Sequence, residues 1–210
     1  MRMLAIVLAL SLPLPAAAGA LFDTPGDVET IQRLVNTAAS ELIAADAMQG
    51  RFVQLKSIPQ LPQALRSEGR FLYARDHGIW WHTETPFEST LLLTPDGLRQ
   101  SYAGSHGELA RDPGALAVVD IFFSLLSLDF ERLSQSFELF GQATDAGWRV
   151  GLVPHDAALA AVVQRAVVEG NHSVRHVELI SGDDQTEFLF ESVESLDRPL
   201  STKELQRFDP

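Results

Sequence analysis

Ser67 to Pro86 reads S-E-G-R-F-L-Y-A-R-D-H-G-I-W-W-H-T-E-T-P, and this stretch decides the fold. Phe71, Tyr73 and Arg75 alternate with Leu72 and Ala74, so they share one face of a strand. Asp76-His77-Gly78 is a turn, with Gly78 free to take positive φ. A second run follows in which Ile79, Trp81 and Thr83 alternate with Trp80, His82 and Glu84, and Pro86 ends it because proline cannot donate to a ladder. The pattern predicts an antiparallel hairpin with a row of large apolar groups on one face. One arginine, Arg75, has the parity of those aromatics.

Outward from the hairpin, the chain reads as one helix and then strands. Asp27 is placed to cap a helix running to about Asp46. Val28, Ile31, Leu34, Val35, Ala38, Leu42 and Ile43 form its apolar stripe. Met48 to Lys56 reads as the first strand. Ile58 to Leu65 carries two prolines and is a loop or edge segment. After the hairpin, Glu88 to Thr94 is a strand, Pro95-Asp96-Gly97 a turn, and Leu98 to Ala103 a possible return strand.

Asp112 to Asp129 is the second informative stretch. Asp112 can cap, and Pro113 suits a first helical turn. From Ala115 to Leu128 only Asp120, Ser124 and Ser127 interrupt an apolar run. A helix apolar on all sides must be covered on all sides. The run is too short for a membrane span. The residues fit an ordinary core helix and a helix lying in the mouth of a curved sheet equally well. Beyond it, Phe137 to Ala143, Trp148 to Val153, Val163 to Glu169, Arg175 to Ile180 and Thr186 to Glu191 read as strands. Asp156 to Val163 is a candidate short helix, and Leu196 to Pro210 a polar tail that crosses the sheet edge.

With 210 residues the chain is long enough for one domain with a sizeable core. A formal net charge of -12 argues against a nucleic-acid partner and against a polybasic membrane patch. The absence of cysteine rules out disulfides, thiolate metal sites, a cysteine nucleophile and an N-terminal lipid anchor on cysteine. Residues 1–20 have the form of a secretory signal: a basic Arg2, an apolar core from Leu4 to Leu12, and Ala18-Gly19-Ala20 or Ala16-Ala17-Ala18 for cleavage. The mature chain is therefore expected to be exported, and the bacterial periplasm fits. No catalytic constellation emerges. His155-Asp156 are merely adjacent, no G-x-S-x-G elbow occurs, and His172 and His176 lack a third ligand at a sensible spacing. Neither a catalytic residue nor a metal is assigned, and no cofactor is expected.

The hairpin resembles the signature of the outer-membrane lipoprotein carrier family (LolA). Gly69, Phe71, Tyr73, Arg75, Trp81 and Pro86 fall on its pattern without a gap, as do Gly50, Phe52 and Gln54 upstream and Trp148, Leu152 and Pro154 downstream. Two positions depart from it: Asp76 stands where the family has proline, and Ile79 where it has an aromatic. The resemblance implies an α+β fold, a strongly curved, incompletely closed antiparallel half-barrel of about ten strands with helices over its concave side. Residues 21–210 would form that single domain. It implies a periplasmic chaperone, not an enzyme, that takes acylated lipoproteins from an inner-membrane transporter to an outer-membrane acceptor as a monomer. Another lipid cargo, or a scaffold role without cargo, remains the alternative. The hydrophobic cavity is expected from Phe52, Phe71, Tyr73, Ile79, Trp81, Leu91 and Leu93. The lid is expected from Leu116, Val119, Ile121, Phe122, Phe123, Leu125 and Leu126. The family's latch arginine corresponds to Arg75, which would hold the lid through its backbone; the residues alone allow that head simply to reach water.

Overall fold

The computed structural model of the protein describes residues 21–102, 107–111 and 113–209. The expected signal segment and the capping Asp112 lie outside them. Helix α1 (Val28–Ala44) opens the described fold, and Asp27 caps it by accepting from the Thr30 amide at 2.9 Å. Ile31, Val35, Ala39 and Leu42 are its buried residues, so the apolar stripe is the packed face.

Eleven strands follow: β1 (Ala47–Ser57), β2 (Leu65–Ala74), β3 (Gly78–Thr85), β4 (Ser89–Thr94), β5 (Gly97–Tyr102), β6 (Leu109–Ala110), β7 (Phe137–Thr144), β8 (Gly147–Pro154), β9 (Arg165–Gly170), β10 (Val174–Ser181) and β11 (Asp184–Ser195). They form one antiparallel sheet in the open order β6-β5-β4-β3-β2-β1-β11-β10-β9-β8-β7. The first strand is therefore central, and the two ends of the series are not bonded to each other. Between β6 and β7 lie α2 (Pro113–Leu126) and α3 (Phe130–Leu133). Short helices α4 (Ala157–Ala160) and α5 (Thr202–Leu205) come later.

The sheet is strongly curved. Trp81 on β3 and Leu152 on β8 stand six strands apart in the order, yet they line the same cavity. A flat sheet would separate them by roughly 29 Å at the usual strand spacing. The concave face carries the main core, which joins α1, α2 and α3 to residues from most of the strands. The fold is thus an α+β half-barrel, incompletely closed, with helices on its concave side.

Two glycines of the hairpin region let aromatic rings lie flat against this face. A Cβ on Gly50 would stand 2.7 Å from the Phe71 ring, and one on Gly69 would stand 2.7 Å from the Phe52 ring. Both are closer than carbon atoms approach, so the glycines are required by the packing of the neighbouring strand.

The tail does more than cross an edge. Leu196, Leu200 and Phe208 cover Ala47, Leu72, Ala74, Trp80 and Leu92 on the convex face. The Arg207 guanidinium lies 4.5 Å over the Trp80 ring, and Ser201 and Glu204 form a capping box on α5. The sequence reading missed α3, α5 and the two-residue β6. Each is too short to show a periodicity, and α5 is stabilised by its tertiary contact with the sheet.

Candidate functional site

The site begins with α2, because a helix this apolar has to be covered. Its polar groups are satisfied internally or at its outer edge. Ser124 Oγ donates to the Asp120 carbonyl at 2.8 Å, and Ser127 Oγ to the Phe123 carbonyl at 2.7 Å. Asp120 pairs with Arg132 of α3. The helix then stops at Leu128, which is fully buried and takes φ 57°. The Leu128 amide reaches the Leu125 carbonyl, and the Asp129 amide reaches the Ser124 carbonyl at 2.9 Å. This is the Schellman closure, usually made with glycine. A leucine held in the left-handed region costs about 1–2 kcal/mol, and full burial of its side chain offsets about as much.

On one flank α2 meets the first half of the sheet, which is filled with rings. Trp81 stacks on Phe52 with centroids 3.9 Å apart and on Phe71 at 6.0 Å. Phe122 of α2 meets Trp81 edge-on at 6.2 Å, and Phe123 meets Tyr73 at 5.7 Å. The register explains the column, since Phe71 pairs with Trp81 and Tyr73 with Ile79 across β2 and β3, while Trp81 pairs with Leu91 across β3 and β4. Burial pushes the Tyr73 phenol above its ordinary pKa, against the smaller opposing effects of the Arg75 charge and a hydrogen bond with Ser127.

On the other flank α2 covers a cavity of about 260 Å³. Ile121, Phe122, Leu125 and Leu126 form its roof, and Trp81 is its boundary with the aromatic column. The rest is aliphatic or phenyl surface from the second half of the chain: Phe137, Leu152, Ala166, Val174, Val177 and Leu179 among others, with Phe188 and Phe190. Every lining residue is apolar. Such a space stays dry and takes an apolar guest. Val162, which also lines it, is 58% exposed, so the space reaches the surface between α4 and β9.

The structure divides the residues expected at the site. Trp81, Ile121, Phe122, Leu125 and Leu126 line the cavity. Phe52, Phe71, Tyr73, Ile79 and Leu93 are fully packed core of the first half, and Leu91 packs against it partly buried. Val119 is buried, Phe123 faces Tyr73, and Leu116 is 40% exposed near the start of α2. The aliphatic wall from β8, β9 and β10 was not anticipated. Its valines and leucines looked like any strand, and only the closure of the curved sheet brings them opposite Trp81.

Arg75, expected as the lid latch, is placed beside the end of α1. It lies just past the end of β2, its side chain is 45% exposed, and both of its hydrogen bonds run to α1, not α2. The Nη2 group donates to the Ile43 and Ala45 carbonyls at 3.0 Å each, and Nε stands 3.6 Å from the Asp46 carboxylate. A guanidinium at a helix C-terminus satisfies the carbonyls left without partners there. The Arg75 amide still donates to the Asp46 carbonyl at 2.8 Å, so the residue keeps the ladder's parity while its head meets the end of α1.

The histidines are dispersed. His172 Nδ1 donates to the Ala38 carbonyl at 3.0 Å, and His176 stands 3.3 Å from Glu187 and 3.7 Å from Glu169. Among the described residues no group of three potential ligands is arranged for a metal ion.

A family model described as outer membrane lipoprotein carrier protein LolA-like matches residues 27–194. Among solved structures, a LolA superfamily protein from Nitrosomonas europaea is similar at 9% identity, over 83% of this chain and 96% of that one, with a TM-score of 0.43. A putative outer membrane lipoprotein-sorting protein domain from Vibrio parahaemolyticus gives 7%, 86%, 98% and 0.43 in the same terms. The MucA/MucB complex of Pseudomonas aeruginosa gives 14%, 84%, 60% and 0.45. Comparison with curated proteins returns no match.

Proposed function

This chain belongs to the LolA-like outer membrane lipoprotein carrier family, and from that premise we propose that it is a periplasmic carrier which shelters an acyl chain beneath α2. The observation that carries the proposal is the wholly apolar cavity roofed by an almost wholly apolar helix. Each methylene moved from water into such a space gains about 0.8 kcal/mol, so an acyl chain binds without any polar contact. A headgroup has no partner inside and stays at the mouth beside Val162.

The cavity volume of about 260 Å³ falls below the roughly 300–1,000 Å³ of ordinary ligand pockets. A long acyl chain therefore requires α2 to move outward. No bond is made or broken in this reading, and no cofactor takes part. Lipoprotein acyl chains delivered by an inner-membrane transporter and passed to an outer-membrane acceptor are the cargo the family implies, and the signal-like residues 1–20 agree with export. A different acylated cargo is the second reading, and the tail bears on hand-off: it covers the convex face and begins where the matched span ends, so the outer surface offered to an acceptor differs from that of the family region alone.

Native mass spectrometry of the mature protein, mixed with a diacylated or triacylated peptide or with a free fatty acid, tests the proposal. Retention of acylated species with little retention of the unacylated peptide is the expected result. Equal retention of acylated and unacylated peptide, or of neither, contradicts it. Preference for the fatty acid over the lipopeptide points to the second cargo.

A further inference from the structure

We propose that Gln32 is the clip that sets the pivot of α2, and hence the rate at which the cavity opens; this rests on the carrier reading above. The two ends of α2 are held differently. Near its start Leu116 is exposed, whereas its far end is rooted by the buried, left-handed Leu128. That root is tied to α1 by one side chain. Gln32 Oε1 accepts from the Phe130 amide at 2.8 Å and from the Glu131 amide at 3.3 Å, and Gln32 Nε2 donates to the Leu128 carbonyl at 3.1 Å. A fourth bond, from Nε2 to Asn36 Oδ1 at 2.7 Å, fixes the orientation of the amide.

The chemistry suits a clip. The carbonyl and amide halves of one glutamine serve both sides of the α2–α3 junction, where a helix has just ended and another begins. The first amides of α3 and the carbonyl of the residue that ends α2 are groups that no helix satisfies. An uncharged amide offers an acceptor and a donor on separate atoms, which neither a carboxylate nor an ammonium does. The Asp120–Arg132 pair ties α2 to α3 as well, so α2 and α3 are linked near the same root. A helix rooted at its C-terminal end opens by swinging about that end. Gln32 therefore bears on lid opening, a role the family resemblance implied for Arg75.

The test compares Gln32→Ala, Gln32→Glu and Asn36→Ala in the full mature chain. Release of a fluorescent fatty acid is measured by stopped flow, and amide hydrogen exchange is read over 113–131. Loss of the three bonds to the α2–α3 junction predicts about ten-fold faster release for Gln32→Ala. Gln32→Glu keeps the acceptor but loses the donor and meets Glu131, so its release is intermediate. Asn36→Ala stays within about two-fold. Faster exchange at Phe130, Glu131 and through α2, with the β1–β2 pairing unchanged, separates a lid effect from general loosening. The proposal is overturned if Phe130 and Glu131 lose protection while release and α2 exchange stay as in the wild type. If the wild type binds no fatty acid, the carrier reading fails; the clip is then judged on α2 exchange alone, and unchanged exchange in Gln32→Ala overturns it.

Discussion

The two halves of the concave face meet the same helix with different materials. From β1 to β4 the surface under α2 is built from Phe52, Phe71, Tyr73 and Trp81, and their rings interlock with Phe122 and Phe123. From β8 to β10 it is built from Leu152, Ala166, Val174, Val177 and Leu179, and a space of about 260 Å³ remains. Flat rings on a hairpin stack and fill the volume. Short branched chains on a strongly bent sheet reach only part of the way to the helix. The aromatic half is thus the wall against which α2 is positioned, and the aliphatic half is the room it closes. Trp81 belongs to both.

The largest way to break this contrast is to remove the shared residue. Trp81→Ala takes away contacts to Phe52, Phe71, Phe122, Phe188 and Phe190 at once. A loss of about 3–5 kcal/mol in urea unfolding is expected. A loss below about 1 kcal/mol would mean that the column is not packed as described. Next comes a matched pair of enlargements. Leu93→Phe, in the filled half, should cost about 1–3 kcal/mol. Ala166→Phe, which points into the cavity, should cost less than about 1.5 kcal/mol while weakening acyl binding at least about ten-fold, because the new phenyl occupies the guest's place. Equal stability costs with equal acyl affinities would erase the distinction between the halves.

A smaller effect separates the helices. Arg75→Leu should lower stability by about 1 kcal/mol through the α1 C-terminus and leave acyl release within two-fold of the wild type. Several-fold faster release would return Arg75 to the lid. The smallest effect is acidification of the tail. Glu204 is held well below the ordinary carboxylate range, first by hydrogen bonds from Arg198, then by those from the Ser201 hydroxyl and amide. A depressed carboxylate stabilises the fold above its unfolded pKa of about 4.3 and stops doing so as the pH falls through the lowered value. Below about pH 4 the tail should loosen on the convex face, read as a change in Trp80 emission, and Glu204→Gln should abolish that step. Acyl binding on the opposite face should be unaffected by the substitution at neutral pH.

Much of the fold was legible in the chain. The alternation from Phe71 to Trp81, with its turn at Gly78, specified the hairpin, and the stripe from Ile31 to Leu42 specified α1. The unbroken apolar run before Leu128 marked α2 as a covered helix. The site was legible only on its roof and at Trp81. Its aliphatic wall is a product of curvature, which brings strands far apart in the pairing order to one space, and no local pattern encodes that. The latch role of Arg75 came from the family resemblance; the head's partners, the last carbonyls of α1, are a tertiary contact that no local pattern encodes. Gln32 lies off the apolar stripe of α1; its partners are about a hundred residues on, at Leu128, Phe130 and Glu131, and only the folded chain shows them.

The central claim is that an acyl chain enters the space beneath α2 beside Trp81, and quenching of tryptophan emission by a brominated fatty acid tests it at that residue. Bromine quenches only rings it touches; of the other two tryptophans, Trp80 lies under Arg207 on the convex face and Trp148 is buried against Phe130. The account predicts saturable quenching in the wild type that is largely lost in Trp81→Phe, although that variant still binds the unbrominated acid. Quenching that persists undiminished in Trp81→Phe, or its absence in the wild type at saturating ligand, would contradict it.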